Sequence, residues 1–472
     1  MGLNNLLRIA VKCLAVVLLL GVVWVFACIV INRRDEPLSP QALALAAKTA
    51  LPPADANGYY VLFALSADDN ADVMATGREA VQKLARLASE NPNATDLSRQ
   101  TDFKHAPHFT WQVHRCTASE HCAKADVGRR AALTEARSHS AALLQRYALL
   151  QQMPNFEEPA IYAPAAPIPG YTELIAAHDM SLVEAAFDIA DGRLANGIAI
   201  LQKNDAYVRQ LMRQSSTLIS RMVAVAMMRR QARAVSELSD LYPALSADHG
   251  DQMAALVRPL SSAEQSFRPV FRHEAQYGVT AVRALDFESG RQDTALAHLP
   301  RHWSERVSAG FFDLFYQRNA TANLLVRTWS PLLEDADKPA TDYTAIRSRA
   351  VQRCASFDTV ALLLQPNGLI NPTGKLLVAL SSIQPAMVDY MERSADADGY
   401  LRLVGLKIDA QRKHIPLASM QDFVNASAAS YRSPYDGTPM LWSSEKRQLQ
   451  FIGRQKATSN SEPKNRYAVQ MS

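Results

Sequence analysis

"FDIADGRLANGIAILQKNDAYVRQLM", residues 187–212, decides the fold class. Two runs of small and apolar residues at helical spacing meet at Asp191-Gly192, a dipeptide that turns a chain rather than continuing a helix. The stretch reads as an αα-hairpin, with helices over 172–190 and 193–213 and a third over 215–242. Residues 126–153, "DVGRRAALTEARSHSAALLQRYALLQQM", repeat the pattern: Leu133, Ala136, Leu143, Leu144 and Leu150 share one face, the other face is polar, and the run ends before Pro154. Further helices are predicted near 247–287, 303–317, 320–336, 341–364, 374–394 and 399–413. Glycine is scarce at 18 residues and aromatics make up 7%, the composition of helices rather than of sandwiches or barrels. The pair has the rhythm of a tetratricopeptide-like hairpin, but stable arrays need about three units and no clean period of about 34 residues recurs, so one such unit is weak evidence for a solenoid. The expected fold class is mainly α: an N-terminal transmembrane helix, a multi-helix body built as αα-hairpins or an irregular bundle, and a small C-terminal β-hairpin.

The transmembrane expectation rests on residues 13–31, "CLAVVLLLGVVWVFACIVI", an apolar run between Lys12 and Arg33-Arg34. As a helix it spans about 28 Å, close to the roughly 30 Å hydrocarbon core of a bilayer. Flanking charges nearly tie, and the short N-terminal tail favours a signal anchor with the body outside the cytoplasm. The expected topology is a single crossing with most of the chain outside the cytoplasm. Arg8, Lys12, Arg33 and Arg34 account for the whole charge excess, because the remaining 46 basic side chains face 46 acidic ones. A neutral body lacks the basic face that drives nucleic-acid binding, so no nucleic-acid partner is expected.

The stretch "HRCTASEHCAKAD", residues 114–126, gathers His114, Cys116, His121 and Cys122 in a chain of five cysteines. Zinc needs four converging ligands, and the adjacent His121 and Cys122 point apart in most backbone conformations. A disulfide between Cys116 and Cys122 is the favoured reading in an oxidising compartment, with free thiols and a metal as the alternatives. Its ring of about seven residues contributes at most about 2.4 kcal/mol. Cys354 reads as a small core residue. No cofactor is expected.

Residues 159–171, "PAIYAPAAPIPGY", hold four prolines and form an extended connector, the best internal boundary. At the other end, "SPYDGTPMLWSSEKRQLQFIG", residues 433–453, turns at Asp436-Gly437 and reads as a hairpin of "MLW" and "QLQFI". It follows the helix "GYLRLVGLKIDAQRKH", residues 399–414, and the bend "IPL". That order, together with "NGYYVLFAL" at 57–65 and "FYQRNATANLLVRTW" at 315–329, resembles uncharacterised bacterial single-pass envelope proteins with an all-helical body and a C-terminal Asp-Gly-x-Pro hairpin. The resemblance implies a bacterial cell-envelope setting, the inner membrane crossed once with most of the chain periplasmic, and carries no catalytic residues. The expected segments are 1–34, cytoplasmic tail and anchor; 35–158, a helical region with the Cys116/Cys122 loop; 159–398, the helical body; 399–453, helix plus hairpin; and 454–472, a disordered tail.

Chemistry-bearing motifs are near misses. In "GLINPTGKLL" five residues separate Gly368 from Gly374 where a P-loop has four, and Leu376 replaces the magnesium-binding hydroxyl. His298, His302 and Glu305 are interrupted by Pro300. Asp396 and Asp398 in "SADADGYL" suggest a calcium loop that no glutamate closes, so a solvated turn is the expectation. Ser443 and Lys446 form S-x-x-K without companions. Phe311, Phe312, Phe315 and Tyr316 read as core. Asn93, Asn319 and Asn425 begin N-x-S/T triplets. Catalytic residues are unknown. The function expected is a non-enzymatic, membrane-anchored envelope protein that binds a protein partner as a scaffold. A membrane-anchored hydrolase of an envelope polymer is the alternative, recognisable by two convergent carboxylates.

Overall fold

The computed structural model describes residues 29–46, 50–90, 97, 122–162, 166–285, 312–356, 368–381, 384–455 and 465–471, with scattered positions before residue 29. Helix accounts for 70% of it. The first described helices are α1 (Pro40–Ala46), α2 (Gly58–Phe63), α3 (Val73–Glu90), α4 (Cys122–Gly128), α5 (Arg130–Ser138) and α6 (Ala141–Gln152). The predicted helix over 126–153 is thus three pieces. Its breaks follow from "RSHS": the hydroxyls of Ser138 and Ser140 turn back onto the carbonyls of Glu135 and Ala136, a local alternative to the helical ladder.

The opening stretch folds as read. Helices α7 (Tyr171–Ala190) and α8 (Leu194–Gln214) form an antiparallel pair. Gly192 takes φ +78°, its N–H donates to the Ile189 carbonyl, and the Arg193 N–H donates to Asp188. These two bonds make a Schellman cap, which needs the left-handed residue that glycine supplies. Gly197 serves a different purpose. A Cβ there would lie 2.5 Å from Ile189 Cγ1 and 2.8 Å from the Ala185 carbonyl oxygen, so its absence lets α8 close onto α7.

Next come α9 (Leu218–Leu241), the short α10 (Ala244–Asp248), α11 (Gly250–Leu256) and α12 (Ser262–Gln265), then α13 (Arg268–Ala284), α14 (Arg318–Asp335), α15 (Tyr343–Ser356), α16 (Pro372–Leu380), α17 (Gln384–Arg412) and α18 (Met420–Asn425). The 29-residue α17 is the axis of the C-terminal half and packs against α9, α11 and α15 and against the sheet. It is buried on all sides, which explains why no amphipathic stripe marks it in the sequence. The solvated turn expected at 394–398 is therefore a correction. Asp396 and Asp398 lie inside α17 at 0% and 1% exposure, and the expected boundary at 398/399 falls within one helix.

The C-terminal hairpin is present and larger than expected. Strands β1 (Leu441–Ser443), β2 (Gln448–Ile452) and β3 (Arg466–Gln470) form an antiparallel sheet in the order β1-β2-β3. Phe451 pairs with Tyr467 and Leu449 with Val469, and all four are buried. The tail expected to be disordered thus supplies a third strand. Its alternation, Tyr467 and Val469 inward and Arg466, Ala468 and Gln470 outward, is a two-residue period too short to stand out beside the polar residues before it. One apolar cluster runs from Ala42 to Met471 through each of the expected segments after residue 34.

Among the described residues no helix is long and apolar enough to cross a membrane. Nine of the nineteen residues 13–31 lie outside the described set, and no continuous helix over the run is among the described elements. The single-pass inner-membrane placement with a periplasmic body does not stand.

Candidate functional site

Cys122 opens α4, where the next N–H, that of Ala123, donates to the Glu237 carboxylate at 2.8 Å. Cys116, His114 and His121 lie outside the described residues. Among the described residues no two cysteines stand at bonding distance, and Cys354 is half-buried in α15. Cys122 itself is disulfide-bonded, and the expected Cys116–Cys122 staple falls outside the described residues through Cys116. No group of three or more His, Cys, Asp or Glu side chains suited to a metal occurs among the described residues. His298, His302, Glu305, Phe311 and Asn93 fall outside them. Of the aromatic cluster, Phe315 and Tyr316 are buried as expected, while Phe312 is 40% exposed.

The P-loop near miss has a structural role. Asn371, in the left-handed region at φ 50°, caps α16: its side-chain carbonyl accepts the N–H groups of Gly374 and Gln317. Asn32 binds the same loop, donating to the Leu369 carbonyl at 2.7 Å and accepting the Asn371 N–H at 2.6 Å. Asp35 accepts the N–H groups of Asn319 and Ala320 at the start of α14, and Asn323 donates to Glu36 and Pro37. "FYQRNATAN" and "NPTG" are thus two halves of a polar clasp that ties the chain at 32–39 to the body. Ser443 and Lys446 share a turn in which the Ser443 hydroxyl accepts the Lys446 N–H at 3.4 Å.

Two carboxylates do converge, Glu158 after α6 and Glu274 in α13, both at the N-terminus of α9. Glu158 accepts the N–H groups of Ser216 and Thr217 at 2.5 and 2.7 Å and the hydroxyls of Ser216, Thr217, Ser220 and Tyr171. It caps α9 from a distant part of the chain, and its oxygens are filled by donors. Glu274 stands 3.4 Å from the Leu218 N–H. Burial pushes its carboxyl above the usual range, His273 pulls it back, and Glu158 raises it further. A hydrolytic pair needs both carboxylates to have an oxygen free for a proton or water; here the Glu158 oxygens are committed to the helix.

A cavity of about 480 Å³ opens between α5 and α6, lined by Thr134, Arg137, Ser138, Ala141, Leu144, Gln145 and Ala148. The lining positions advance by three and four residues, the spacing of a helix–helix seam. Ala141 and Ala148 are small where a partner backbone would approach, and Leu144 lies between them. Arg137 on the rim is held by Glu184 of α7 at 2.7 Å. The sequence reading chose the buried stripe of this segment, and Leu133, Leu143 and Leu150 do face the core. The neighbouring stripe was missed because alanine, threonine and glutamine carry little hydropathy; its seven-residue step from Thr134 to Ala141 to Ala148 was the available signal. No family model, curated protein or solved structure matches the chain.

Proposed function

We propose that the chain is a non-enzymatic scaffold that receives one amphipathic helix of a partner protein along the α5–α6 seam. The observation that carries this reading is the open groove with positions 134, 137/138, 141, 144/145 and 148 on one line. The fifteen positions from 134 to 148, helical except at the His139-Ser140 turn, extend over at most about 21 Å, the reach of roughly four turns of a partner helix. The small residues at 141 and 148 allow close approach, as helix pairs need for side chains to interlock. The rest of α5 and α6 is fixed from behind. Arg146 is buried and donates to the carbonyls of Leu65, Ala67 and Asp68, so the groove is a rigid surface.

A photocrosslinking residue at position 148 of the full-length protein, used in cells, tests the reading. One discrete adduct is expected, mapping to a helical segment, and Ala141→Arg is expected to abolish it without lowering the melting temperature. An adduct that survives Ala141→Arg, or none at all, would count against the seam.

A further inference from the structure

Glu264 is fully buried, at 0% exposure, and is surrounded by guanidinium groups. Arg258 reaches Oε1 at 2.9 Å, Arg213 the same oxygen at 3.2 Å, and Arg209 Oε2 at 3.2 Å. Burial pushes the Glu264 carboxyl up, but the Arg258 hydrogen bonds, the Ser261 N–H and the charge of Arg209 outweigh it and hold it at about 2. Arg221, 1% exposed, lies behind this group and forms no ion pair among the described residues. It donates to the carbonyls of Met212 and Glu264, lies over the Phe267 ring, and its Nε has no partner. Burial lowers Arg221 to about 10, with Tyr343 and Glu264 opposing, so it is charged at neutral pH.

The other charges facing the cluster are Asp205, which holds Arg209 Nε through both oxygens at 2.9 and 2.8 Å, and the Asp398–Arg402 pair at 2.8 Å. Five arginines (209, 213, 221, 258 and 402) therefore face three carboxylates (205, 264 and 398), an excess of two positive charges in a largely dry site. Arg209 and Arg221 are sealed inside. Arg213 and Arg258 are the outlet, with side chains 42% and 45% exposed. Arg258 pairs with both Glu264 oxygens, Oε1 at 2.9 Å and Oε2 at 3.1 Å, and Arg213 shares Oε1, so the two guanidinium groups stand within about 6 Å of each other, close enough for one oxyanion to bridge their remaining N–H groups. Arg213 makes one hydrogen bond, to Glu264, leaving most of its fork unused.

We propose that Arg213 and Arg258 form a binding site for a phosphate monoester, with the buried Arg209–Glu264–Arg221 cluster holding the two guanidinium groups in place and supplying the unbalanced charge. A monoester carries about two negative charges above pH ~6, matching the excess. Planar guanidinium forks are suited to such bidentate oxyanion recognition.

The test uses the full chain, with inorganic phosphate and glycerol phosphate as separate probes at fixed ionic strength and pH 7.5, read by thermal melting and by calorimetric titration. Saturable binding of both probes is expected, with glycerol phosphate about fourfold weaker at pH 5.5, where only about a quarter of a monoester with a second pKa of ~6 remains dianionic. Arg213→Gln should remove it while melting within a few degrees of the parent in chloride, and Arg268→Gln, whose ion pair is with Asp337, should retain it. A linear, unsaturating rise shared by the parent and Arg213→Gln is a general salt effect and overturns the proposal. Saturation by inorganic phosphate alone overturns the monoester assignment. Arg258→Gln is a second variant where folding permits, and Arg213→Gln alone suffices to decide.

Discussion

At the scale of single residues, buried polar groups in this chain serve to fix helices to one another, and two of them give measurable consequences. His178 is fully buried in α7, with Nδ1 3.0 Å from the Tyr147 hydroxyl and Nε2 3.2 Å from the Met227 carbonyl. A carbonyl can only accept, so the ring carries its proton on Nε2 and Nδ1 is an acceptor, facing a Tyr147 hydroxyl whose one proton is shared with Asn204 Oδ1 at 3.1 Å. Burial lowers its pKa to about 3, the Met227 contact opposing and Arg230 reinforcing. The unfolded imidazole titrates near 6.5, so between pH ~6.5 and ~3 the unfolded chain binds a proton that the folded chain does not, and stability falls as pH falls. Urea unfolding at pH 7.5 and 5.5 should show the parent losing about 1.4 kcal/mol more than His178→Gln over that interval. Equal losses would show that the ring titrates in the folded state. Glu158 acts at the same scale. Glu158→Ala leaves the first N–H groups of α9 without their acceptor and is expected to cost about 2 kcal/mol in chemical denaturation, the upper end for a lost helix cap.

At the scale of elements, the α7–α8 hairpin was legible because its signals are local. Asp191-Gly192 ends one helix through a left-handed residue, and the apolar spacing on either side marks the next. The same reading failed on α17, where a helix buried all round has no polar face for periodicity to reveal, and where "ADADG" looks like a solvated turn until Asp396 and Asp398 are seen to find donors in distant segments. The scaffold groove lay between these cases, its step visible but its residues too small to register as a stripe. Gly197 allows the hairpin packing to be tested against helix propensity. Alanine in a helix is worth about 1 kcal/mol over glycine, but its Cβ would press on Ile189 and on the Ala185 carbonyl, and overpacking costs roughly 1 to 3 kcal/mol. The backbone oxygen cannot move as a side chain can, so the steric term wins: Gly197→Ala should lower stability by about 1 kcal/mol. A gain would mean that α8 shifts away from α7 without loss.

At the scale of the whole molecule, the end of the chain closes onto its longest helix through one carboxylate. Asp396 accepts the Tyr435 hydroxyl at 2.5 Å, the N–H groups of Arg454 and Gln455 at 2.8 and 2.9 Å, and the Tyr467 hydroxyl at 3.4 Å. Tyr435, Phe451 and Tyr467 stack in sequence, with ring centroids 6.3 and 5.7 Å apart, and Arg454 lies over Tyr435. Gly453 sits where a Cβ would be 2.4 Å from the Asp396 carboxyl carbon, which lets the strand end reach the acid. Composition alone marks residues 454–472 as a tail that could be removed at no cost, because its partners lie beyond the polar residues around it, along β2 and, for Arg454 and Gln455, at Asp396 in α17. The structure reverses that expectation. Truncation after Gly453 removes β3, uncovers Leu449 and Phe451, and strips Asp396 of three of its four donors while leaving it inside α17. A buried carboxylate deprived of its partners costs about 3 to 5 kcal/mol, so the truncated chain should melt well below the parent, and Asp396→Ala in the full chain should recover little of its own loss. If truncation leaves the melting temperature unchanged, then the third strand and its grip on Asp396 contribute nothing to the folded state.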